Sequence, residues 1–253
     1  MKVRFWGVRG SIPVPGPTTV RVGGNTPCVE VETGAQRSLD RLIAVLLFSH
    51  THWDHIQGLP FFSPARSNRN RMVILGAHRV DRHLEQILAG QMVDAYLPFT
   101  LQDLHADLLI KEVHDGERIV VGNHTSVLPR KLLHPGGVFG YRITRKGKSV
   151  VYASDVNHPP GRLDPGLLAL AKGTDLLIHD AQFTPEEKAE LPDWGHSSWL
   201  EAVQAAKAAG AKQLLLFHHD PLHTDDELEA IEEQARALFP NCSLAREGME
   251  VTL

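Results

Sequence analysis

The chain has 253 residues and a mass of 28.0 kDa, a size that holds one large α/β or all-β domain. Hydrophobic residues make up 42% and charged residues 22%, which excludes a disordered chain, and a net charge of −4 with a pI near 6.4 argues against a general nucleic-acid coat. No apolar run approaches the ~20 residues of a membrane span, and a cysteine count of two, Cys28 and Cys242, excludes a disulfide framework and favours a cytoplasmic home.

The start, MKVRFWGVRG, has no signal-peptide core and alternates like a strand, followed by a Gly/Pro-rich loop. Pro27 to Thr33 reads as a second strand, with Cys28 expected to be buried and inert in it. Leu42 to Phe48 is a continuous apolar run, expected to be a strand buried on both faces. A short strand near Met72 to Leu75 and a helix near Val80 to Leu88 follow. From Leu108 to Ala153 the pattern is all strand, as LLIKEV, RIVV, TSVLPRKLL, VFGYRIT and SVVYAS separated by Gly, Asp or Asn.

The last third alternates between helix and strand. Leu167 to Ala171 reads as helix, Asp175 to His179 as strand, Ser197 to Ala209 as an amphipathic helix ending at Gly210, and Gln213 to Phe217 as an apolar strand. Asp225 to Leu238 reads as a helix whose first turn carries three acids, suited to the positive end of its dipole. No linker or internal repeat breaks the chain, so residues 1–253 read as a single domain of two face-to-face sheets with helices outside.

Fifteen His residues call for a chemical explanation, and His50-Thr51-His52-Trp53-Asp54-His55 supplies most of it. His50 and His52 are two apart and project to the same side of an extended segment. Four potential ligands within six residues cannot all be satisfied as buried polar groups, so the motif points to metal. Further donors end other apolar strands: His134, Asp155, His179 with Asp180, and His218. Trp53 reads as a packing residue. His78, His83, His105, His114 and His124 read as exposed or structural, and His158 and His223 mainly as structural residues near turns.

HTHWDH, LHPGGVFGYR, SDV, HDAQ, GHSS and FHHDP, in that order, resemble the metallo-β-lactamase superfamily, in particular its phosphodiesterase and ribonuclease Z-like branch of metal-dependent hydrolases. The resemblance runs from FWGVRGS to AREGMEV and implies an α/β fold, a four-layer αββα sandwich with two metals at one edge of the sheets. It implies that His50, His52 and His134 hold one metal, that Asp54, His55 and His218 hold the second, and that Asp155 bridges them. His196 in GHSS is then the catalytic histidine near the leaving group, with Asp54 counted as catalytic as well as a ligand. The register favours His218 over His219, and orientation of a ligand is the default role for Asp180. Histidine- and carboxylate-rich sites suit two divalent ions, zinc first, with manganese or iron as alternatives. Ser11, Arg9 and Asn25 are loop donors with a guessed role in contacting substrate.

In one place the chain departs from the family. Members usually carry a strand ending in Asp-Ala/Cys-Gly before the HxHxDH strand, whereas here the intervening text is ETGAQRSLDRLIA. Gly34 to Asp40 is too short for that strand and its helix, so the expectation is a chain break between Glu32 and Arg41, an under-braced metal loop and low metal occupancy.

The favoured function is a dinuclear metal phosphodiesterase acting on a small or cyclic phosphodiester through a metal-bridging hydroxide. Thioester or lactam hydrolysis and tRNA 3′-processing are the alternatives. Nucleic acid is not favoured as a partner, because the acidic balance offers no long basic arm. A non-catalytic binding module is disfavoured by the full ligand set, and a flavin-coupled di-iron oxidoreductase by the chain length. A homodimer is compatible with the sequence, and a membrane is not expected as a partner.

Overall fold

The structure, a computed structural model, describes residues 1–34, 41–122 and 124–253. The expected break, the missing Asp-Gly strand and the fate of Gly34 to Asp40 therefore fall on a stretch, 35–40, outside the described residues.

The N-terminal half begins with β1 (Lys2–Gly7) and β2 (Cys28–Glu32), which pair antiparallel, and β1 also pairs with the last strand, β13 (Glu250–Thr252). A second three-stranded sheet is parallel, in the order β3 (Ile43–Leu47), β4 (Arg71–Ala77) and β5 (Asp107–Val113). The third sheet has seven strands. Its antiparallel part is β6 (Ile119–Val121), β7 (Thr125–Leu132), β8 (Val138–Arg145) and β9 (Lys148–Ala153), where turn residues punctuate alternating runs. Its parallel part continues through β10 (Leu176–Asp180), β11 (Leu214–Phe217) and β12 (Cys242–Leu244).

The two small sheets cover the inner face of the large one. Phe5 of β1 meets Phe217 of β11, and Leu75 and Val113 pack with Val127, Phe139, Tyr141 and Ile143 of β7 and β8. Helices close both outer faces. The long ones are amphipathic and begin at capping boxes, so their exposed ends and buried stripes are both satisfied. On the small parallel sheet lies α2 (Leu84–Gly90), following the single-turn α1 (Trp53–Ile56). On the large sheet lie α3 (Pro165–Ala171), α5 (Trp199–Ala209) and α6 (Asp225–Leu238), with α4 (Pro185–Glu190) between the first two in sequence. This is the expected four-layer αββα sandwich. Among the described residues no helix is long and apolar enough to cross a membrane.

Three expectations need correction. β3 is not buried on both faces: among the described residues it is an edge strand paired with β4, and Ile43 is 67% exposed. Cys28 is exposed, because β2 is also an edge strand and its first residue sits at the sheet's end. The helix expected from Val80 starts at Leu84, because Gln86 bonds back to the His83 N–H and fixes the start there.

Candidate metal centre

The parallel strands all end on the same edge of the sandwich, and their C-terminal residues converge there, as they do in open α/β sheets. His50 follows β3, His134 follows β7, Asp155 follows β9, Asp180 ends β10, and His218 follows β11. Asp54 and His55 lie on α1, whose single turn lets both side chains face back across the edge.

The donors form three groups, the third made of Asp155, Asp180, His196 and His218 and sharing two residues with the second. His50, His52 and His134 offer ring nitrogens within 4.8 Å of one another, as do Asp54, His55, Asp155 and His218. Asp155 reaches both: its Oδ1 lies 3.8 Å from His50 Nε2 and 3.3 Å from His218 Nε2, while its Oδ2 lies 3.1 Å from His55 Nε2. All seven residues expected from the motifs are therefore brought together. His219 is turned away, with its Nε2 on the Ala245 carbonyl.

The donor set fits a cation. His50 Nε2 and His55 Nε2 are buried without a hydrogen-bond partner, although carboxylate oxygens stand close by. Buried ring nitrogens and carboxylate oxygens gathered this closely, some of them unpartnered, are what an ion requires. Burial lowers the pKa of His50, His52 and His134, keeping them neutral as ligands must be. Burial alone would also lower His55, but the carboxylates of Asp155 and Asp54, 3.1 and 3.3 Å from its Nε2, outweigh it and push this imidazole up to about 10. Burial works against ionisation of Asp155, yet the facing His218, His55 and His50 hold it well below the usual carboxylate range. Two buried carboxylates thus demand positive charge, which a divalent ion supplies in place of a proton.

A second network orients these groups. His134 Nδ1 donates to the Gly195 carbonyl at 2.8 Å, which turns Nε2 toward the site, 3.2 Å from His52 Nδ1. Gly195 is held at φ +90, and a Cβ there would lie 2.4 Å from Pro135 Cδ, so only glycine lets this loop lie against the ligand. His218 Nδ1 bonds the Gln182 side-chain oxygen at 3.1 Å, and the Ser11 N–H donates to Asp54 Oδ2 at 2.9 Å. Ser11, Asp155 and His218 all have left-handed backbones, with φ of 62, 57 and 59. The metal loop also has braces: Tyr141 Oη donates to the Phe48 carbonyl at 2.7 Å and the Phe139 N–H to the Ser49 carbonyl at 2.8 Å.

His196 stands beside the centre, its ring stacked 5.0 Å from that of His218. Its Nδ1 bonds Asp180 Oδ2 at 2.8 Å, and Asp180 Oδ1 accepts the N–H groups of Ser197 and Gln182. Burial opposes a charge on His196, but the Asp180 carboxylate beside it raises its pKa. Asp180 therefore holds His196, and its Oδ2 also lies 3.9 Å from His218 Nδ1, the side on which its default role of orienting a ligand falls.

Ser11, Arg9 and Asn25, the loop donors, all make bonds within the protein. Ser11 holds Asp54, buried Arg9 donates to the Gly23, Asp220 and His223 carbonyls, and Asn25 bonds Glu247. Trp53 is 57% exposed and does not pack, because Asp54 and Ile56 take the buried positions of α1. His158 and His223 are buried, the latter paired with Glu187. Gln182 and Gly195 went unread as site residues; their signal lay only in adjacency to HDAQ and GHSS.

This fold, closing on a histidine–carboxylate cluster, defines a metal-dependent hydrolase. Residues 14–219 match the profile of the Beta-lactamase superfamily domain, and the chain belongs to that superfamily. Ribonuclease Z of Bacillus subtilis (strain 168) is 25% identical, over 84% of this chain and 82% of its own. Among solved structures, the metallo-beta-lactamase fold protein YhfI from Bacillus subtilis superposes with a TM-score of 0.72 at 20% identity, covering 99% of this chain and 98% of that one. A diphosphatase from the PhnP family superposes with a TM-score of 0.71 at 19% identity, covering 100% and 97%.

Proposed function

We propose that the protein is a dinuclear metal phosphodiesterase whose substrate is a small or cyclic phosphodiester. The observation that carries this reading is the position of Asp155, one carboxylate within reach of donors from both groups, as a shared pair of ions requires. Similarity to a diphosphatase and to ribonuclease Z supports phosphoester chemistry. In this assignment His50, His52 and His134 hold one ion, Asp54, His55 and His218 the other, and Asp155 both. Zinc suits this nitrogen–oxygen set best, with manganese or iron as alternatives.

When bound, such ions activate water at neutral pH and neutralise charge on a phosphodiester. The chain's own residues supply the rest. Asp54 is fixed by Ser11 and His218, so the attack geometry is set before substrate arrives. His196, whose pKa the Asp180 carboxylate raises against the effect of burial, would carry the proton to a leaving oxygen and give it up as that oxygen departs. Exposed His52 marks the side from which substrate enters.

A nucleic-acid phosphodiester is the second reading, favoured by the ribonuclease Z relatives. The test is metal analysis followed by steady-state hydrolysis of bis-p-nitrophenyl phosphate, cyclic nucleotides and a structured RNA with each metal. Turnover of the small diesters supports the first reading. Turnover of the RNA alone transfers the assignment to the second, and thioester or lactam turnover without either overturns both.

A further inference from the structure

Beside the metal loop lies a cavity of about 160 Å³. Its wall runs from His50 and Thr51 to the Gly136–Gly137 turn and includes Arg79, Lys131 and His114. The volume is well below the roughly 300–1,000 Å³ of pockets that enclose a drug-sized molecule, so it suits one small group.

Two cationic side chains meet at that turn. Arg79 spends Nε and Nη2 on Asp81, at 3.0 and 3.1 Å, while its Nη1 lies 4.0 Å from where a Cβ on Gly136 would stand. Lys131 Cε and Nζ lie 3.2 and 3.9 Å from a Cβ built on Gly137, and among the described residues Nζ has no carboxylate partner. Asp115 also lines the cavity, but its carboxylate and that of Glu112 are engaged by other groups. Asp115 accepts the Lys131 backbone N–H and pairs with Arg130, and Glu112 accepts the Leu84 N–H and bonds His78 and His83. Gly136 and Gly137 have φ of +79 and +82, so side chains are disfavoured where they would crowd the two cations. The turn begins one residue after His134, which ties the cavity to the metal centre.

We propose that this cavity is a subsite for a second phosphate of the substrate, held by Lys131 and Arg79 while the scissile phosphodiester sits at the metals. The inference rests on the phosphodiesterase reading and narrows it to substrates carrying a neighbouring phosphate, whether a phosphorylated dinucleotide or a longer strand. Lys131 supplies a mobile point charge, and Arg79 a planar donor whose free edge faces the turn.

The experiment compares the metal-loaded wild type with Lys131→Met and Arg79→Gln on three probes: bis-p-nitrophenyl phosphate, a 5′-phosphorylated dinucleotide and a short single-stranded oligonucleotide. Each variant should raise KM about tenfold for probes with a second phosphate, as expected for losing one partly solvated charge-assisted hydrogen bond. KM for bis-p-nitrophenyl phosphate should move little, and Lys131→Arg should restore the wild-type value for the others. A rise confined to the oligonucleotide assigns the subsite to a strand, and one shared with the dinucleotide assigns it to small molecules. An equal rise on all three probes, or on none, overturns the subsite. Calorimetric binding of the dinucleotide is read without turnover. Absence of hydrolysis therefore removes only the phosphodiesterase reading, whereas binding unchanged in Lys131→Met removes the subsite.

Discussion

The seven-stranded sheet and the small parallel sheet deliver donors to the same site by opposite means. β10 and β11 are buried at every position, beneath α5 on one side and β1 on the other. β3 is half-buried along most of its length. Asp155, Asp180 and His218 are therefore placed by packing, because their strands have no room to shift. His50, His52, Asp54 and His55 are placed by polar ties from across the interface, through Tyr141, Phe139 and Ser11. One half supplies a rigid anvil, and the other is a loop pinned to it.

The sharpest way to break this contrast is at the residue the two halves share. Asp155→Asn should cut metal content by at least half and lower kcat/KM by about a thousandfold or more, because the charge common to both ions is lost. Full metal content by elemental analysis would show that the halves bind ions independently. Next in size is packing. In chelator, Leu216→Ala should lower stability by ~3–5 kcal/mol and Val45→Ala by only ~1 kcal/mol, read from urea midpoints. Equal losses would erase the distinction between the two halves.

Asp180→Asn tests the anvil's polar end and should lower kcat about 10–100-fold. His196 acts while protonated, so activity declines as pH rises through its raised pKa. Removing the neighbouring carboxylate should move that decline to lower pH. A pH–rate profile that keeps its alkaline limb would separate Asp180 from proton transfer. The smallest effect is expected at the pin: Tyr141→Phe strands the Phe48 carbonyl, costing ~1 kcal/mol of stability and about tenfold in metal affinity.

Much of this architecture was legible before any coordinates. The Asp225–Leu238 helix matches because Thr224 and Glu227 form a capping box at its start. The β7–β9 meander was readable because glycines and polar turn residues separate alternating runs. Burial was harder to read. An apolar run such as Ile43–Leu47 looks the same at an edge as in the centre, since the neighbouring strand comes from elsewhere in the chain. The same division holds at the site. HTHWDH is local and its spacing announces a metal, and the strand-end donors stood out by their placement after apolar runs, with their division between two metals supplied by family resemblance. Ser11, Gln182 and Gly195 contribute a backbone N–H, an amide oxygen and a carbonyl, groups that carry no distinctive residue type and act across long sequence separations.

The left-handed backbones of Ser11, Asp155 and His218 have an evolutionary consequence. For L-residues this conformation costs roughly 1–2 kcal/mol, least for Asp and Asn, and glycine removes the cost. Selection for stability alone would therefore drift these positions toward glycine, and would do so fastest at His218 and Ser11. A lineage that abandoned catalysis should show glycine there before its core changed at all. The three residues thus work as a molecular record of use, which erodes first when the chemistry is no longer needed.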